Sequence, residues 1–437
     1  MIRTLDARAG IDAVVAALER SPETVAPEIH RTVDTILASV RARGDAALCE
    51  HTARLDGWTP ARPADLALAP ADFENAERAV AADVRAALAY AAERIERYHA
   101  AAMPKSWRMT DEHGSVLGQE VRALDRVGVY VPGGRAAYPS TVLMTVIPAR
   151  VAGVKEIVLV SPAGAGGRLD PGVLAAARIA GVTEGYRIGG AQAVAALAYG
   201  TSSIRRVDKI VGPGNIYVAL AKSRVFGEVG IDMVAGPSEV VVIADAAADA
   251  EWIAGDMLAQ AEHDPMARAL LITDTSELIP RVEAALARQV ESLPRRAIAE
   301  QSLRANGALI RVADLDEAVT LANLLAPEHL ELLVTAPTAF LPRVKHAGAI
   351  FLGGHTPEVV GDYVAGPNHV LPTAGTARFA SPLSTEDFVK RSSVIEYSRV
   401  GLRAAAPHLT TLTRIEGLTG HGNAAALRLH ADGGTRT

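Results

Sequence analysis

Cysteine is almost absent: Cys49 is the single one in 437 residues. No intramolecular disulfide can form, which fits a reducing cytosol. A thiol nucleophile would have to be Cys49, and its setting in the helical-looking GDAALCEHTARLDG suits a partly buried thiol better. Long apolar runs are also missing. No stretch approaches the roughly 18 uninterrupted apolar residues of a spanning helix, and MIRTLDARAG has no apolar core of a secretory signal. A cytoplasmic location is therefore expected, with no membrane partner. Nor is there an excess of positive charge. The net charge is −6 and the pI about 6.1, so nothing electrostatic favours nucleic acid. Low-complexity linkers and short repeats are absent too. Hydrophobic residues make up 49% and charged residues 22%, enough for a large core, and the length suits about three domains.

The first hundred or so residues, including IDAVVAALER, APEIHRTVDTILASVRARG and DFENAERAVAADVRAALAYAAERIERYHAA, repeat apolar positions at helical spacing. From Gly128 the grammar becomes strand, glycine-rich turn, helix: GVYVPGG, EIVLVSPAG, EGYRIGG, VDKIVGPG. A second such series runs through SEVVVIAD, ARALLITD, GALIRV, HLELLV and AIFLGG. Short β-rich runs without alternation, joined by amphipathic helices, indicate parallel sheets covered on both faces. The expected class is α/β: two Rossmann-like, incomplete, doubly wound parallel-sheet domains with a helical N-terminal part and a small C-terminal extension.

Three turns, VPGG (131–134), IGGAQ (188–192) and VGPGN (211–215), follow strands where α/β folds hold ligands. Glycine there permits close backbone approach to a phosphate at a helix N-terminus. None spells G-x-G-x-x-G, since GPGNIY has Tyr217 where the third glycine belongs, and no Walker A sequence occurs. On this pattern alone tight structural turns are the favoured reading, and nucleotide binding is permitted.

Polar groups gather in the second series. AGPSE offers Ser238, DMLAQAEHDP places Gln260 and His263 on one helix face, APEHL sets Glu328 beside His329, and GDYVAGPNHVLPT carries Asp362 and His369. RIEGLTGHGN adds Glu416 and His421. Imidazoles, a carboxylate and an amide oxygen suit zinc or a similar cation. The bland alternatives stand beside this: His263 capping last-turn carbonyls, Asp362 holding its own loop, and Glu328–His329 forming a hydrated corner after Pro327. In an extended segment neighbouring side chains diverge, so Glu328 and His329 would address different points, one working on water and the other on a substrate oxygen.

VGVYVPGG, GGAQAVAALAYGT, VDKIVGPGN, AGPSEV, QAEHDP, APEHLEL, GDYVAGPNHVLPT and GLTGHGNAA, collinear from 128 to 425, resemble the histidinol dehydrogenase family. The resemblance implies a zinc-containing, NAD-dependent oxidation of L-histidinol through the aldehyde to L-histidine, at the end of histidine biosynthesis, with two NAD consumed. It implies Gln260, His263, Asp362 and His421 as zinc ligands and Glu328 and His329 as the acid/base pair. Substrate would meet Ser238, His329 and Glu416 together with the ligand side chains, and NAD would meet Tyr130, Gln192 and Asn215. A homodimer is implied in which the C-terminal segment, with Glu416 and His421, serves the partner's site. The expected division is 1–24, helical; 25–127 plus 236–385, α/β with the metal and catalytic residues; 128–235, α/β, contacting NAD; and 386–437, the extension. A zinc hydrolase using Glu328 as base is the rival enzyme class, and a dehydrogenase of another amino alcohol the rival substrate.

Overall fold

The computed structural model describes residues 2–18, 26–133, 137–234 and 236–430. Residues 19–24 of the expected N-terminal segment, Gly134 of the first glycine turn and Ala235 at an expected boundary lie outside the described residues. Contacts divide the chain into two units: 1–102 with 124–388, and 103–123 with 389–437.

The larger unit holds two wholly parallel sheets. One has six strands in the spatial order Arg3–Asp6, Ala308–Arg311, Arg268–Thr273, Glu239–Ala244, His329–Leu333, Ala349–Leu352. Every position of Glu239–Ala244 and Arg268–Thr273 is buried, which is why these runs show no alternation. Val240, Val242 and Leu271 face the helices Ala250–Ala261, Leu278–Gln289 and Arg296–Asn306, while Val241, Leu270 and Leu332 face Ile11–Leu18 and Leu315–Leu325. Truncating a fully buried Leu271 or Leu332 to alanine costs about 2–5 kcal/mol. The first residues, read from the sequence as helical, open instead with the strand Arg3–Asp6, which pairs in parallel with Ala308–Arg311. With four residues and one edge to fill, it has too little sequence to display a period.

The second sheet has five strands, ordered Glu184–Tyr186, Glu156–Val160, Arg126–Tyr130, Lys209–Val211, Gly230–Ile231. Helices Pro139–Ala152, Pro171–Ala180, Gly190–Tyr199 and Ile216–Val225 alternate with these strands, and Pro27–Arg43 packs on one face with the core residues Val33, Ile36 and Val40.

The smaller unit is an antiparallel sheet ordered Val389–Glu396, Val116–Ala123, Trp107–Thr110, followed by helices Arg399–Ile415 and Thr419–His430. The Ser398 hydroxyl caps the first of these by accepting the Gly401 N–H at 2.9 Å.

Candidate active site

The six-stranded sheet reverses its winding between Glu239–Ala244 and His329–Leu333. Glu239 and His329 are the first residues of those strands, so the site lies at the amino edge of the sheet, opposite the edge where open α/β sheets usually bind ligands. Two helices deliver further groups to it. The first joins two parallel strands and so runs back toward the amino edge. Ala250–Ala261, capped by Asp249 accepting the Glu251 N–H at 2.8 Å, brings Gln260 and then His263. Glu358–Tyr363 brings Asp362.

His329 is 4% exposed. Its Nδ1 lies 3.1 Å from the Glu239 carbonyl, and a carbonyl only accepts, so Nδ1 carries the proton. Nε2 is then the lone-pair nitrogen. It has no hydrogen-bond partner among the described residues and faces Asp362 Oδ1 at 3.9 Å. Burial, aided by His263 and His369 and opposed by the bond to the Glu239 carbonyl, brings the His329 pKa down to about 4. The ring is therefore neutral at neutral pH, an available base.

Glu328, 5% exposed, accepts the Glu239 N–H through Oε2 at 2.9 Å and the Ser238 hydroxyl. Burial, then Glu239 and Asp362, drives its pKa well above the usual carboxylate range despite those bonds. The backbone of one residue, Glu239, thus fixes both neighbours, its N–H holding Glu328 and its carbonyl holding His329. Glu358 adds Oε1 at 3.6 Å from His329 Nδ1. Donor atoms of His329, Glu358 and Asp362 lie within 4.8 Å of one another. Burial raises the Asp362 pKa to about 6 and raises Glu358 more strongly. Gathered carboxyls that resist ionisation in each other's company mark a place suited to a cation or to proton traffic.

Gln260 is fully buried, yet neither amide atom has a partner among the described residues. His263 is exposed, and its ring lies near enough to depress the pKa values of His329 and His369. It is not in the three-residue donor group with Asp362. The donor set fits a metal: an orphaned amide oxygen, an imidazole and a carboxylate that sits uneasily in its own charge. His369, to which the sequence assigned no role, is held by its Nδ1–H on the Asp362 carbonyl at 3.0 Å, with Thr141 Oγ1 3.4 Å from Nε2. Glu416 and His421 belong to the smaller unit, Glu416 just past Arg399–Ile415 and His421 in the first turn of Thr419–His430, both exposed.

Sequence reasoning did not single out Glu239, Asp256, Glu331 or Glu358. The available signals were the i, i+4 spacing of Glu358 to Asp362 and of Asp256 to Gln260, and the i, i+2 spacing of His329 to Glu331 in a strand.

Tyr130 ends a strand of the five-stranded sheet, and Gln192 and Asn215 follow the carboxyl ends of two others. Several of the turn amides there are already engaged. The Gly190 N–H donates to the Tyr130 hydroxyl at 3.0 Å, the Gly189 N–H to the Asp56 carboxyl, and the Gly212 N–H to Asp232 at 2.7 Å. Asn215 Oδ1 caps its own helix, accepting from Tyr217 and Val218 at 3.1 and 3.2 Å. Those amides are thus occupied, whereas the helix Gly190–Tyr199 has no side-chain cap at its N-terminus, and side chains offer further contacts. Gln192, fully buried with both amide atoms unpartnered among the described residues, is the clearest.

A family profile described as histidinol dehydrogenase matches residues 19–429. The chain belongs to the histidinol dehydrogenase family. A histidinol dehydrogenase of Chromobacterium violaceum is 56% identical over 403 residues, covering 92% of this chain and 93% of its own length. One from Neisseria meningitidis is 52% identical over 424 residues, covering 97% and 98%. The crystal structure of histidinol dehydrogenase from Elizabethkingia anophelis superposes with a TM-score of 0.94 at 32% identity, covering 98% of each chain. The histidinol dehydrogenase match takes in every candidate residue from Tyr130 to His421.

Proposed function

We propose that this chain oxidises L-histidinol through the aldehyde to L-histidine, consuming two NAD, as the closing steps of histidine biosynthesis in the cytosol. Family membership supports the substrate, and the local chemistry supports the roles. The observation that carries the reading is the His329 ring: buried, neutral, its tautomer set by the Glu239 carbonyl and its Nε2 unpartnered beside Asp362. His329 takes the alcohol proton. Glu328, whose burial makes its carboxylate a stronger base once formed, draws the proton from the water that adds to the aldehyde. Ser238, which donates to Glu328, together with Glu416 and the ligand side chains, orients the substrate.

Gln260, His263, Asp362 and His421 would hold one zinc ion, and Tyr130, Gln192 and Asn215 would contact NAD. Zinc supplies a Lewis acid for the substrate's nitrogen and oxygen donors, and NAD accepts hydride. Glu416 and His421 serve the partner's site in a homodimer. The exposed Val400, Leu412, Ile415 and Leu427 of the smaller unit support a partner, since apolar surface of that kind favours association.

The test is incubation of the full chain with L-histidinol and NAD. Reduced nicotinamide should appear twofold over histidine, disappear on chelation and return with zinc. Zinc-loaded protein that turns over no NAD with histidinol, or that hydrolyses without it, would end this reading.

A further inference from the structure

Two helices carry proposed metal ligands, and each has a carboxylic residue one turn before its ligand: Asp256 before Gln260, and Glu358 before Asp362. Between them lies Glu331, two residues along the strand from His329 and so on the same face of the sheet. Glu331 is wholly buried, with 0% exposure. Its Oε1 accepts the Glu358 N–H at 2.8 Å, and its side chain meets the Asp256 carboxyl. Two carboxylates cannot bond to one another without a proton between them. With Glu331 as the acid, both oxygens are satisfied: Oε1 accepts from Glu358, and the hydroxyl on Oε2 donates to Asp256. As a carboxylate, Glu331 would leave Oε2 orphaned at full burial, with Asp256 repelling it.

We propose that Glu331 is a positioning residue that, as a carboxylic acid, ties the Gln260 helix and the Asp362 helix to the strand of His329, fixing the spacing of the two ligands. The inference rests on the ligand assignment above. It explains why a glutamate sits inside the apolar run HLELLV, where a leucine would pack at least as well and a charge would be costly.

The test uses the full chain and zinc as probe. The zinc dissociation constant is measured by chelator competition, and the thermal midpoint of the metal-free protein is recorded alongside. Glu331→Gln keeps both bonds, with its amide oxygen accepting from Glu358 and its NH2 donating to Asp256, and should bind zinc as the parent does. Glu331→Leu should weaken zinc about 10–100-fold, the usual cost of losing a group that orients ligands. Asp256→Ala, at the outer end of the bridge, should weaken zinc in the same direction and serves if the leucine variant fails to fold. A structural role alone would lower the thermal midpoint and leave zinc affinity untouched. The proposal is overturned if Glu331→Gln loses as much affinity as Glu331→Leu, or if the foldable variants that break the bridge bind zinc as tightly as the parent. Failure of the parent chain itself to bind zinc would strike the ligand assignment first, and is seen before any variant is made.

Discussion

Glu328 and His329 are covalent neighbours given opposite electrical fates by the same burial: the acid is discouraged from losing its proton and the imidazole from gaining one. That contrast supports the proposed division of their labour. Glu328→Gln keeps shape and the Glu239 N–H bond but cannot take a proton from water, so oxidation of supplied aldehyde should fall ~10²–10⁴-fold while the alcohol step falls less. Single-turnover kinetics with each substrate distinguish the steps, and equal losses would refute the assignment. His329→Gln should show the reverse bias. Because the His329 pKa is lowered to about 4, its base form persists well below the ordinary imidazole range. The alcohol step should therefore show no acid limb near 6.5 arising from this ring, checked in the pH profile of its pre-steady-state rate.

At the scale of elements, the glycine turns are joints that the protein has already wired. Gly212 has φ +111°, and a Cβ there would strike the Tyr130 carbonyl. Gly212→Ala should cost about 1–3 kcal/mol or more and raise the KM for NAD by shifting Tyr130 and Asn215, read from the thermal midpoint and saturation kinetics together. Asp56, just past the helix Asp45–Leu55, reaches the Gly189 turn, and burial raises its pKa from 3.8 to about 6. A raised acid pKa means the fold prefers the protonated form. That stabilisation is complete below about 3.8 and is lost as pH rises through about 6. Asp56→Asn, which keeps an acceptor and cannot ionise, should gain in thermal midpoint over the parent as pH passes upward through that window. Apart from Arg3–Asp6 and Gly230–Ile231, the strands of both parallel sheets were legible because most are Val/Ile/Leu-rich runs without alternation, and Glu328 and His329 stood out as titratable groups at the start of one such run. The strands Trp107–Thr110 and Val116–Ala123 were not legible: WRMT and VLGQEVRA are polar and mostly unburied, and the second pairs with Val389–Glu396, far along the chain. Glu331 was invisible for a different reason. One acid in HLELLV looks like a break in an apolar pattern, and only its burial against Asp256 and Glu358 gives it a purpose.

For the whole molecule, the proposed exchange of the C-terminal segment between subunits makes a sharp prediction. His421→Ala chains would keep Gln260 but give their partner no histidine; Gln260→Ala chains would do the converse. Mixed after reversible dissociation, the two inactive preparations should recover about a quarter of parental activity, since half the dimers are hybrids and each has one intact site. No recovery on confirmed mixing would place His421 in the site of its own chain. Finally, the proposed chemistry occupies one rim of the six-stranded sheet, and the far rim carries connections such as the turn 245–249, exposed at Ala246 and Ala247. A peptide tag or fluorophore grafted between Ala246 and Ala247, leaving the Asp249 cap in place, would ride the length of a strand away from the proposed reacting groups, so the protein offers an attachment point for reporters or immobilisation that should leave catalysis undisturbed.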